Sequence, residues 1–164
     1  MAENKYPAYD GIKHRVEAAL EKLVERDRDL FEVDANERSI SHKLAEYLGH
    51  EFKGWHVDCE YNRDGHDPKR VHIPTEIVPV RVETDDDKGT TVYPDIIIHQ
   101  RKTNQNLLCV EMKKATSSAD ALARDKKKLE AYCAELDYRF SLLVIIEVGE
   151  KRPGYCFELL STQD

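Results

Sequence analysis

Two short stretches of this chain carry residues that could do chemistry together. Thr91-Val92-Tyr93-Pro94-Asp95-Ile96-Ile97-Ile98 and Asn106-Leu107-Leu108-Cys109-Val110-Glu111-Met112-Lys113 are apolar, β-branched runs with charged residues near their ends. Short runs rich in Val, Ile and Leu, bounded by turn formers, read as buried strands. Alternation places Glu111 and Lys113 on one strand face and Val110 and Met112 on the other. If the two strands pair as a hairpin, Asp95 joins the Glu111 face. Two carboxylates and one ammonium then converge on an apolar floor. Such a set suits a hard cation such as Mg²⁺ or Mn²⁺, which takes oxygen ligands. The ammonium would orient a water or offset charge on a phosphate.

The elements needed to position these residues are legible on either side. Ile12, Val16, Ala19, Leu20, Leu23 and Val24 have the spacing of an amphipathic helix over residues 10–28. A second helix is expected from Ala35 or Asn36 to about His50, with Ile40, Leu44, Tyr47 and Leu48 inward. Trp55–Tyr61 reads as a strand. Residues 62–90, with their prolines and the Asp85-Asp86-Asp87-Lys88 run, read as an insertion or loop with a possible strand at 77–82. After the two motif strands, a helix over Ala119–Leu136 opens on Ser117 or Ser118 as N-cap, with Leu122, Leu129, Tyr132 and Leu136 on its apolar stripe. Strands at 140–148 and 155–160 close the chain, separated by a turn at Pro153-Gly154.

Bulk properties bound the reading. A chain of 164 residues, 35% charged and 40% hydrophobic, fits a single globular domain. The opening Met-Ala-Glu-Asn-Lys-Tyr has no apolar h-region, and Leu142–Ile146 is too short to span a bilayer, so a cytoplasmic protein is expected. Cys59, Cys109, Cys133 and Cys156 show no C-x-x-C spacing and read as small core residues, not as disulfides or zinc ligands. The net charge of −7 argues against nonspecific coating of nucleic acid, yet basic residues flank the carboxylates at Arg101-Lys102, Lys113-Lys114, Arg124 and Lys126-Lys127-Lys128.

The P-D…E-x-K pattern at Asp95, Glu111 and Lys113 resembles the PD-(D/E)xK nuclease superfamily. The order helix, three strands, helix, strand over residues 36–148 is similar to that superfamily's αβββαβ core. The resemblance extends to small stand-alone bacterial members through Glu37-Arg38, Glu60-Tyr61-Asn62-Arg63 and Lys128-Leu129-Glu130-Ala131-Tyr132. It implies an α/β single domain with a restriction-endonuclease-like core, residues 1–35 forming an N-terminal helical extension and 62–90 an insertion. It also implies Mg²⁺-dependent hydrolysis of nucleic acid, with DNA the expected partner, leaving a 5′-phosphate and a 3′-hydroxyl.

In that reading Asp95 and Glu111 are metal ligands with the Met112 carbonyl, and Lys113 is catalytic. Glu37 is a further candidate ligand, because it lies on the buried stripe of its helix where an acid is unexpected. Its competing role is a capping box begun at Asp34. Glu60 either approaches the metal or pairs with Arg63. Lys114, Arg124, Lys128 and Arg63 are candidate nucleic-acid contacts, whereas His99 reads as a structural residue. Two other readings stay open: a catalytically silent module binding nucleic acid or protein, and a nuclease subunit of a restriction or defence complex. A homodimer or a partner subunit is compatible with all three.

Overall fold

The computed structural model describes residues 6–60, 94–149 and 152–162. Between 60 and 94 it describes only the backbone of four two-residue strands. The expected strand at 77–82 therefore lies outside the described residues. The elements run α1 (Tyr9–Arg26), α2 (Arg28–Glu32), α3 (Glu37–Glu51), β1 (His56–Cys59), β2 (Arg63–Asp64), β3 (Asp67–Pro68), β4 (Arg70–Val71), β5 (Thr90–Thr91), β6 (Ile96–His99), β7 (Asn106–Lys114), α4 (Ala119–Leu136), β8 (Phe140–Glu147) and β9 (Gly154–Ser161). The small strands pair β2 with β3 and β4 with β5.

A mixed five-stranded sheet, ordered β1-β6-β7-β8-β9, organises the chain. β6 and β7 form the expected antiparallel hairpin, with Ile96 opposite Val110 and Ile98 opposite Leu108. Its turn closes through Gln100 N–H to Gln105 O at 2.9 Å, and Lys102 takes a left-handed φ of 62°. β7 and β8 are parallel, and a parallel pair requires a crossover. α4 supplies it.

Strand alternation divides the core between the two faces of the sheet. Leu108, Val110 and Met112 pack with α1 and α3, while Ile97, Cys109 and Leu143 pack under Leu129, Tyr132 and Leu136 of α4. α1 is no appendage: Ile12, Val16, Ala19, Leu20 and Leu23 are fully buried. The helix expected to reach residue 28 stops at Arg26. Asp27 leaves the helical region, and α2 starts afresh to bury Phe31. No helix among the described residues is long and apolar enough to cross a membrane.

The cysteines are free thiols. Cys109 is buried and Cys59 and Cys133 half-buried, in keeping with their reading as packing residues. Cys156 departs from that reading: it lies on the edge strand β9 and is exposed, so it is not a core residue.

Candidate active site

Strand register decides where the charged residues meet. β6 begins at Ile96, opposite Val110, so the β7 edge beyond Val110 has no strand partner on that side among the described residues. Asp95 takes that place: its Oδ2 accepts the Met112 N–H at 2.7 Å. The Asp95 carbonyl in turn accepts the Glu60 N–H at 3.1 Å. The aspartate is thus fixed at both ends of the residue, against β7 and against the end of β1.

Glu111 lies on the α4 face of β7 and is only 3% exposed. Every other residue from Asn106 to Met112 is also buried. Asn106 has an evident reason to be polar there, because its Nδ2 donates to the Leu136 carbonyl at the end of α4. Among the described residues, Glu111 accepts a hydrogen bond from the Tyr132 hydroxyl, at 3.1 Å. A buried carboxylate without a cation in contact is costly. Burial accordingly pushes Glu111 well above the glutamate range, and the nearby Asp95 charge adds to that push. Lys128 and the Tyr132 hydrogen bond offset it only in part. Asp95 is raised as well, by burial first, against the pull of Met112 N–H, the Glu111 carboxyl and the Lys113 and Lys128 charges. Both acids are thus held above the ordinary carboxylate range, as expected of a close carboxyl pair with no cation in ion-pair contact among the described residues.

The ammonium groups stand beside this pair. Lys113 Nζ lies 3.4 Å from Glu37 Oε2 and 3.4 Å from Asp125 Oδ2. Burial alone would lower the Lys113 pKa, but Asp125 and Glu37 outweigh it and keep the ammonium charged. Lys128 Nζ lies 3.0 Å from Asp125 Oδ1. It too is raised, with Glu111 and Asp125 overcoming desolvation. Asp125 is 2% exposed, and its Oδ2, although within ion-pair range of Lys113, accepts no hydrogen bond of good geometry.

Four of the expected residues thus meet at one end of the sheet: Asp95, Glu111, Lys113 and Lys128. Met112 contributes its backbone, and its side chain faces the α1–α3 core. Glu37 touches Lys113 and does not join the carboxyl pair. The capping role weighed against it also falls away. Asn36 is the N-cap, with Oδ1 accepting Ser39 N–H at 2.8 Å, because Asp34 adopts a left-handed φ of 53° and α3 begins only at Glu37. The Glu60 carboxylate pairs with Arg38. Of the candidate phosphate contacts, Lys114 is engaged by Asp34 at 2.6 Å, Arg124 is half-buried on α4, and the Arg63 side chain lies outside the described residues. His99 is buried and bound through Nε2 to Asp58 at 2.8 Å, with Arg101 on the same carboxylate.

Asp125 is a site neighbour absent from the sequence expectations, although its signal is legible: it stands three residues after Leu122, four before Leu129 and seven before Tyr132, on the apolar stripe of α4. Glu37 shows the same anomaly on α3. Tyr132, expected as a packing residue, also hydrogen-bonds Glu111.

Oxygen atoms dominate the donor set, with two carboxyls that repel when ionised and a backbone carbonyl on the same β7 edge as the Met112 N–H. That chemistry fits a hard divalent cation held by one or two carboxylates. Among the described residues, no three His, Cys, Asp or Glu side chains converge to bind an ion by themselves, so water and substrate oxygens would complete the shell. Compared with protein-family models, with curated proteins and with solved structures, the chain matches none.

Proposed function

We propose that this protein is a Mg²⁺- or Mn²⁺-dependent phosphodiesterase acting on nucleic acid, with DNA as substrate and a PD-(D/E)xK-type site. The observation that carries this reading is the buried Glu111 beside the half-buried Asp95, both carboxyls held above their ordinary range, with no cation in ion-pair contact among the described residues and two charged lysines nearby. The order α3-β1-β6-β7-α4-β8 supports a restriction-endonuclease-like αβββαβ core around it.

Asp95 and Glu111 would hold the cation together with the Met112 carbonyl. When bound, the cation acidifies a water and neutralises phosphate charge. Lys113 stays protonated between Asp125 and Glu37, so its role is to stabilise negative charge on the phosphate rather than to abstract a proton. Lys128 reaches the same side from α4 and would add a second positive charge. Asp125 fixes both ammonium groups, and Tyr132 fixes the Glu111 carboxyl.

A catalytically silent module is the second reading. It is favoured by one observation, the engagement of Lys113 by two acids. Incubation of labelled single-stranded, duplex and branched DNA and of RNA with protein and Mg²⁺ or Mn²⁺ decides between them. Cleavage that requires the metal and disappears in folded Asp95→Ala, Glu111→Ala and Lys113→Ala variants is expected. Metal-independent cleavage, or full activity in two of the three variants, contradicts the enzyme.

A further inference from the structure

Toward the C-terminal end of α3, away from the Glu37 end that meets Lys113, α1 and α3 line a cleft of about 620 Å³, within the size range of ligand sites. Arg15, Lys22 and Arg26 line it from α1, His50 and Glu51 from α3, and Lys53 from just beyond the α3 C-cap. The α1 residues are spaced by seven and four, which puts them on one helix face. Tyr47 forms part of the lining and directs its hydroxyl to Asp27.

Charge in this cleft departs from that of the chain as a whole, in which acids outnumber lysines and arginines by 32 to 25. Elsewhere the basic side chains mostly have an acid: Lys43 has Glu46 at 3.0 Å, Lys114 has Asp34 at 2.6 Å, Lys126 has Glu158 at 2.8 Å and Lys127 has Glu130 at 3.3 Å. In the cleft only Lys22 is matched, by Glu51. Among the described residues no carboxylate stands within ion-pair range of Arg15, Arg26 or Lys53. Helix C-termini attract cations, which accounts for Arg26 and His50 in the last turns of α1 and α3. It does not account for Arg15, in the middle of α1, nor for Lys53, past the end of α3. The Arg15 guanidinium is instead held over the Phe52 ring, 5.4 Å from its centroid, a contact that leaves its donors available at the edge of the plane.

We propose that this cleft binds a chain of phosphate groups. Guanidinium forks match phosphate oxygens in pairs, and Arg15 and Arg26 are separated by roughly 16 Å along α1, a spread suited to an extended anion. That span favours a nucleic-acid backbone, and a free polyphosphate is the other source of the same chemistry. The site is independent of the sheet-end carboxylates, so it stands or falls without them.

Binding is tested in EDTA, which suppresses any cleavage, by fluorescence anisotropy with a labelled single-stranded oligonucleotide and a labelled duplex, and by calorimetry with inorganic tripolyphosphate. Arg26 and Lys53 are exposed, so the double variant Arg26→Glu/Lys53→Glu keeps the fold, as circular dichroism would verify. Binding is expected to weaken tenfold or more in that variant, and by less than threefold in a control, Lys127→Glu, on α4. Oligonucleotide binding that millimolar tripolyphosphate competes only weakly identifies a nucleic-acid strand as the source. Tighter binding of tripolyphosphate than of oligonucleotide identifies a free polyphosphate. Absence of binding by the wild type to any of these probes at low salt overturns the proposal, as does a loss in the double variant no larger than in the control.

Discussion

Three buried or nearly buried acids lie within one small region, and their surroundings make them behave differently. Asp125 is compensated by two ammonium groups, whereas Glu111 and Asp95 have each other and a tyrosine hydroxyl. Removing the Asp125 charge should therefore hurt: Asp125→Asn leaves Lys113 and Lys128 facing a neutral amide. The lysines are about a quarter to a third exposed, which moderates the cost of a broken buried pair to about 2 kcal/mol. Urea denaturation reads this directly, and an unchanged midpoint would mean that Asp125 does not hold the lysines. Glu111 predicts the opposite trend with pH. Its folded pKa is raised above the ordinary value of 4.5, so its contribution to stability is full below that pH and is lost as pH rises through the folded value. In EDTA, Glu111→Gln should gain stability relative to wild type between pH 5 and pH 8. A difference that stays flat with pH would show that Glu111 ionises as freely in the native state as in the unfolded chain.

At the scale of elements, local chemistry marked most boundaries. Ser118 opens α4 as its N-cap, accepting Ala121 N–H at 3.2 Å, and the β6–β7 hairpin follows from the turn residues between two apolar runs. The failed boundaries have one distant and one local cause. The break at Asp27 is tied to the Tyr47 hydroxyl of α3, which no local pattern reports. The Glu37 capping box assumed that α3 starts near Asp34, but the left-handed backbone there delays the helix. The carboxyl and lysine positions were legible from alternation alone. Their partners were not, since Asp125 and Tyr132 meet the β7 face only through the crossover of α4. Separate roles for Asn36 and Glu37 give a test: Asn36→Ala should cost about 1 kcal/mol of stability through the lost cap and leave chemistry unchanged. Glu37→Gln should leave the melting temperature nearly unchanged and alter catalytic rate through Lys113. Equal destabilisation by both would return Glu37 to a capping role.

For the molecule as a whole, the sheet-end carboxyls oppose folding when ionised, and a divalent cation that binds only the native state should reverse that. Asp95→Asn should accordingly leave the metal-free protein as stable as wild type or more so, against the usual cost of altering a packed interior. With affinity of about millimolar, ~10 mM Mg²⁺ contributes roughly 1.4 kcal/mol by mass action. For a domain of this length that is a rise in melting temperature of roughly 3–5 °C. The most direct measurement is thermal denaturation of wild type, Asp95→Asn and Glu111→Gln in EDTA and in Mg²⁺ or Ca²⁺. The predicted result is a metal-dependent rise in wild type that both variants largely lose. An Asp95→Asn protein clearly destabilised without metal, yet shifting as wild type does with it, would contradict the assignment and leave Asp95 a structural residue with no part in binding a cation.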